Sequence, residues 1–113
     1  MIFNKIKIKK VIFNSLKLSF QENGLLITLP FKDFLSEFSF NSVGEEKENL
    51  LEFRIKLNKK YTDFLKGFDI FFDLNENDNE NFCFYFKLDK KCDLKDIKLE
   101  NNSIFIPYLK EVE

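Results

Sequence analysis

The chain has 113 residues, of which 44% are apolar and 33% charged, and a net charge of −1. That length carries one domain with one core, and it buries roughly two thirds of its unfolded surface without help from a metal or a staple. Histidine is absent and cysteine occurs only twice. This excludes a Ser-His-Asp triad, a Cys-His dyad and an imidazole ligand, and it leaves a four-ligand zinc site incomplete.

The apolar set is skewed: 16 Phe, 15 Leu and 10 Ile stand against 3 Val, with no Ala and no Trp. Lys outnumbers Arg 17 to 1, and there are 12 Asn. Phe, Lys, Asn, Ile and Leu can all be written in A and T, so the composition reads first as a low-GC genome and only second as selection for Phe.

Period-two alternation dominates the chain. Ile2, Ile6 and Ile8 take one side of an expected first strand, with Lys5, Lys7 and Lys9 on the other. Leu16, Leu18 and Phe20 form a second run. The turn Gln21–Gly24 follows, then Leu25, Ile27 and Leu29, with Pro30 as terminator; this is a hairpin signal. Phe31, Phe34, Leu35 and Phe38 fall at i, i+3, i+4 and i+7, which predicts a short helix or helical turn leading into a strand over Phe38–Asn41.

After the polar stretch Ser42–Asn49, Leu51, Phe53, Ile55 and Leu57 alternate with Glu52, Arg54 and Lys56. Tyr61, Phe64, Leu65 and Phe68 return to helical spacing, with Gly67 as a terminator. Asp69–Leu74 and Phe82–Leu88 are expected to pair around Asn75–Asn81. Ile97–Glu100 and Ser103–Ile106 flank Asn101-Asn102, a pair suited to a tight turn because Asn tolerates positive φ. About nine short strands and at most two short helices predict a mainly β, single-domain antiparallel sandwich or open barrel spanning residues 1–113, with α+β as the alternative.

Sites are sparse. Asp73, Asn75 and Asn77 open like an EF-hand loop, but Asp78 stands where Gly is required and Phe84 where Glu is required. No Gly-rich phosphate loop occurs, and nothing singles out a carboxylate pair or a reactive Lys. A metal, a cofactor, a small-molecule substrate and catalysis are therefore not expected. Cys83 reads as a small core hydrophobe and Cys92 as exposed, with no disulfide implied. Residues 1–13 alternate too strictly for a signal peptide, and no run approaches the ~18 apolar residues of a membrane span, so a cytoplasmic protein is expected.

Charge is the remaining lead. If strands simply alternate in direction, the connections Gln21–Gly24, Ser42–Asn49, Asn75–Asn81 and Glu100–Asn102 share one end. They hold Glu22, Glu45, Glu46, Glu48, Glu76, Asp78, Glu80 and Glu100 against Lys47 alone. The opposite connections, Lys9–Ser15, Pro30–Ser36, Asn58–Gly67 and Lys87–Asp96, are then Lys-rich. A dipolar molecule of this kind steers association with a charged partner.

The expected function is a small non-catalytic protein-binding inhibitor. It would dock the acidic tips Glu45, Glu46, Glu48, Glu76, Asp78 and Glu80 on the basic surface of a nuclease or ribonucleoprotein complex. That profile fits a phage- or mobile-element-encoded anti-defence protein of the anti-CRISPR kind. The alternatives are an immunity protein, a structural or assembly module, and an RNA- or DNA-binding protein using Lys5, Lys7, Lys9 and Lys10. The single Arg weighs against the last of these.

Overall fold

A computed structural model of the chain describes residues 11–44, 49–61 and 81–109. They form two antiparallel sheets around one core, a mainly β architecture of the sandwich kind. The first sheet contains β1 (Lys17–Phe20), β2 (Gly24–Thr28), β6 (Lys98–Glu100) and β7 (Ser103–Pro107), in the order β1-β2-β7-β6. The second contains β3 (Leu35–Val43), β4 (Leu50–Leu57) and β5 (Asn81–Lys87), in the order β3-β4-β5. The expected first strand and the segment Phe64–Leu74 lie outside the described residues.

Alternation decides which side chains meet. Directly paired residues share a face in an antiparallel ladder. Leu25 therefore lies beside Ile106, and Ile27 beside Ile104, all four fully buried. On the second sheet, Phe40, Phe53 and Phe84 form one cross-strand row, and Ile55 and Phe82 share the next row with Phe38. An aliphatic sheet face thus packs against an aromatic one. Phe40 and Phe53 stack with ring centroids 4.3 Å apart, and each fully buried side chain of this size contributes about 1.5–3 kcal/mol.

Residues 11–15 are helical and close the core beside β5. Ile12 is fully buried, and Phe13 lies 5.6 Å from Phe84 and 6.1 Å from Phe86. Ser15 Oγ donates to the carbonyl of Val11 at 2.9 Å, satisfying its hydroxyl within the turn.

Of the short helix or helical turn expected from Phe31, Phe34, Leu35 and Phe38, the turn forms. Phe34 N donates to Phe31 O, and β3 already begins at Leu35. The ladder shifts register between Leu35 and Glu37. The extra residue at this bulge separates two inward side chains, Leu35 and Phe38, by three positions instead of two. A bulged strand therefore copies the i, i+3 spacing of a helix.

The Asn101-Asn102 turn forms as expected, with Asn101 at φ 53°. Its location does not follow strand parity. The chain leaves the first sheet after β2, builds the second, and returns so that β7 lies beside β2. Gly24 then opposes Pro107 and Thr28 opposes Ser103. Glu100–Asn102 accordingly sits at the opposite end of its sheet from Gln21–Gly24, not with it. In the second sheet Leu50 opposes Lys87 and Lys56 opposes Asn81. Asn49 and Asn81, the residues that follow the two acidic segments, therefore mark opposite ends of β4. Leu88 N donates to Asn49 O, so the Lys-rich connection beginning at Lys87 joins the end expected to be acidic.

Candidate interaction surface

The outward face of β3-β4-β5 is a polar grid set by the same register. Asn41, Glu52 and Tyr85 form one row, and Ser39, Arg54 and Cys83 form the next. Glu52 is the buried charged residue of the described set, 6% exposed. Burying a carboxylate is tolerable only when its charge and lone pairs are matched. Here Arg54, two residues along the same strand face, donates Nε to Glu52 Oε1. Asn41 Nδ2 donates to the same oxygen at 3.4 Å, and Tyr85 OH donates to Oε2 at 3.2 Å.

The electrostatics follow from those contacts. The Arg54 hydrogen bond holds the Glu52 carboxyl below its ordinary value, although burial opposes the shift. Glu52 in turn raises Arg54. The neighbouring Cys83 side chain, together with the Glu52 carboxylate, pushes the Tyr85 hydroxyl up to about 12. Tyr85 and Arg54 remain largely in solvent, Tyr85 at 56% and the Arg54 side chain at 64%. An aromatic ring and a guanidinium are thus presented outward, each tied to a buried anchor.

A second cluster lies where the chain passes from β2 to β3. Phe31 stacks on Tyr61 at 4.9 Å and 9° between planes. Tyr61 OH donates to Asp33 Oδ1 at 2.6 Å, and Lys60 Nζ pairs with Asp33 Oδ2. Lys60 first and Tyr61 second hold the Asp33 carboxyl below its usual range. Tyr61, the first residue of the second helical spacing, is half-buried with its hydroxyl bonded.

A cleft of about 820 Å³ opens at the far end of the molecule, between the β1-β2 turn and the segment after β5. Asn23, Asn49, Lys90 and Tyr108 line it, and Lys90 Nζ lies 5.4 Å from the Tyr108 ring centre. Its charges are mixed, Glu22 and Asp89 facing Lys90 and Lys91, and no single ligand chemistry is selected.

The cysteines differ from expectation. Cys83 alternates with the buried Phe82 and Phe84, so it lies half-buried on the outer polar face and not in the core. Cys92 is half-buried where a bridge joins it to Tyr108, and burial raises its thiol. Both thiols are free.

The acids Glu45, Glu46, Glu48, Glu76, Asp78 and Glu80, and the lysines Lys5, Lys7, Lys9 and Lys10, lie outside the described residues. So does the EF-hand-like stretch. The Glu52–Arg54–Tyr85 group was visible in sequence only as the polar half of two alternating strands. The single Arg in a Lys-rich chain was the one available signal. No helix among the described residues is long and apolar enough to cross a membrane. No protein-family model, curated protein or solved structure matches the chain.

Proposed function

We propose that this protein is a non-catalytic binding module that docks on another protein through the outer face of β3-β4-β5. The observation that carries this reading is the buried Glu52 carboxylate fixing Arg54 and Tyr85 while both remain exposed. Tyr and Arg are the residues that dominate interface energetics, together with Trp. Side chains already held in place lose less entropy when a partner covers them, which makes such a patch efficient for binding.

The partner class comes from charge. Glu45, Glu46 and Glu48 belong to the connection between β3 and β4, and Glu76, Asp78 and Glu80 precede β5. In sequence these acids adjoin the strands of the sheet that presents Tyr85. Acid-rich sequence next to these strands suits a basic protein surface, and the grooves of nucleases and ribonucleoproteins are basic because they hold phosphate. The role that follows is inhibition of a nucleic-acid-binding effector, as an anti-defence or immunity protein performs it.

The test is affinity capture with three forms of the protein: wild type, Tyr85→Ala/Arg54→Ala, and Glu45→Lys/Glu46→Lys/Glu76→Lys/Asp78→Lys/Glu80→Lys. The purified partner is then assayed for nucleic-acid binding. Wild type should capture a protein with a basic surface and block its nucleic-acid binding, and both variants should fail. Equal capture by all three forms, or a partner that keeps its nucleic-acid binding at saturation, refutes the reading.

A further inference from the structure

We infer that Glu52 sets the charge of the docking face. It cancels the Arg54 guanidinium, so Arg54 meets a partner as a hydrogen-bond donor without net charge. Its counterpart is an uncharged acceptor, a main-chain carbonyl lying among the partner's cations. This contact chemistry rests on the docking role proposed above.

A buried carboxylate is costly, and hydrogen bonding alone does not call for one at this position. Glu52 Oε1 accepts from Arg54 Nε and Asn41 Nδ2, and Oε2 accepts from Tyr85 OH. A glutamine can meet all three partners, its oxygen accepting from Arg54 and Asn41 and its amino group donating to the Tyr85 oxygen. What glutamine lacks is the negative charge. That charge is directed at Arg54, whose hydrogen bond is the chief influence lowering the Glu52 carboxyl.

The next row but one repeats the pattern. The last three outward residues of β4 are Glu52, Arg54 and Lys56, and Glu37 of β3 stands directly opposite Lys56. The rows Asn41–Glu52–Tyr85, Ser39–Arg54–Cys83 and Glu37–Lys56–Asn81 therefore carry two cations and two carboxylates. Each cation has an acid beside it, one along the strand and one across it. Lys87 falls in the row beyond, with Val43 and Leu50. A face built to hold an anion has no use for carboxylates at those positions.

The partner's chemistry follows. An unmatched Arg aimed at a basic surface is repelled, and the repulsion slows encounter. Matched by Glu52, Arg54 adds no net repulsion. The bond to Glu52 uses Nε and leaves the two terminal amino groups of the guanidinium to donate elsewhere. A carboxylate or phosphate placed opposite them would also meet Glu52, a like charge held against the same guanidinium. A carbonyl meets no such repulsion.

Two measurements test the assignment, each on proteins checked for fold by circular dichroism. The first needs no partner. Cys83 pairs directly with Arg54 across the strands, so in a Cys92→Ser background its thiol is reacted with an anionic aromatic disulfide and with a neutral one. Glu52→Gln should raise the anionic rate several-fold relative to the neutral rate, and Glu52→Gln/Arg54→Gln should restore the wild-type ratio. An unchanged ratio overturns the inference.

The second measurement is stopped-flow binding, at low and high salt, to the protein that wild type captures in the affinity experiment above. Glu52→Gln should associate several-fold more slowly at low salt, and the difference should vanish at high salt. Glu52→Gln/Arg54→Gln should regain the association rate yet dissociate faster, having lost the donors. Tighter binding by Glu52→Gln would put an anionic acceptor at Arg54. Faster dissociation with an association rate unchanged at every salt concentration would reduce Glu52 to a structural role. Either result overturns the inference and leaves the docking role standing, whereas a wild type that captures no protein overturns both.

Discussion

Asn102 and Leu29 are bonded to each other twice. Leu29 N donates to Asn102 O at 2.7 Å, and Asn102 Nδ2 donates to Leu29 O at 3.0 Å. The two residues are 73 apart in the chain, so this pair seals the end of β2 to the turn between β6 and β7. It is the local form of the crossing that brings β7 beside β2.

Removing the side-chain half of that pair should be measurable. Asn102→Ala leaves the Leu29 carbonyl without its amide donor and should cost about 1 kcal/mol, read as a lower urea midpoint at unchanged slope. At the neighbouring position the backbone decides. Asn101 sits at φ 53°, so Asn101→Gly should be tolerated, whereas Asn101→Val should cost roughly 1–2 kcal/mol. Equal stability for the Gly and Val variants would remove the strain account of the turn.

Gly24 is required for a different reason, close approach. A Cβ there would lie 2.4 Å from Ile106 O, 2.8 Å from the Phe105 ring and 2.9 Å from Pro107 Cα. Two of these three atoms are backbone. Gly24→Ala should therefore destabilise the domain by about 1–3 kcal/mol, as overpacking does. Adding Phe105→Ala should not restore the loss, because it removes only the movable contact. Full rescue in the double variant, measured by denaturant titration, would show that the ring and not the strand–strand approach sets the requirement.

Stability on the acid side should depend on Glu52. Its carboxyl lies below 4.5 in the folded protein, chiefly because Arg54 is bonded to it. A group with a depressed folded value contributes stability that is complete above its unfolded value and disappears as pH falls through the folded one. Wild type should therefore lose stability below about pH 4.5 more steeply than Glu52→Gln, with a residual slope left by Asp33, which is lowered in the same direction. Parallel urea-midpoint profiles for the two proteins would count against the Glu52 contribution.

Tyr85 should mark the alkaline side. Its hydroxyl is raised from 10.0 to about 12. A raised folded value contributes stability that is complete below the unfolded value and is lost as pH climbs to the folded one. The relevant window is therefore pH 10 to 12, and Tyr85→Phe should flatten the stability profile there. Tyr61 and Tyr108 are raised too, so tyrosinate absorbance in the variant should lose the step near 12 and keep the other two. A wild-type Tyr85 that ionises at its ordinary value would break the link to Cys83 and Glu52.

Much of the fold could be read from side-chain order, and the exceptions have physical causes. The runs around Leu18, Ile27, Phe53, Phe84 and Ile104 were legible as strands because a half-buried strand must alternate. The tight turn at Asn101-Asn102 was legible because few residues accept positive φ. Leu35 and Phe38 misled because a bulge adds one residue and leaves a helical interval. Cys83 misled because its neighbours are all aromatic, while its own parity points it outward.

Local alternation was enough to indicate a mainly β fold, most of the side chains that fill the described core and the turns at Gln21–Gly24 and Asn101-Asn102, since those depend on neighbours one or two positions away. The crossing between sheets was decided by tertiary structure. It put β7 beside β2, carried Glu100–Asn102 to the end opposite Gln21–Gly24, and set Asn49 and Asn81 at opposite ends of β4. Tertiary pairing also turned Glu52 from one acid among 19 into a buried anchor for Arg54 and Tyr85. That burial requires two neighbouring strands in one register, and no stretch of β4 alone contains the information.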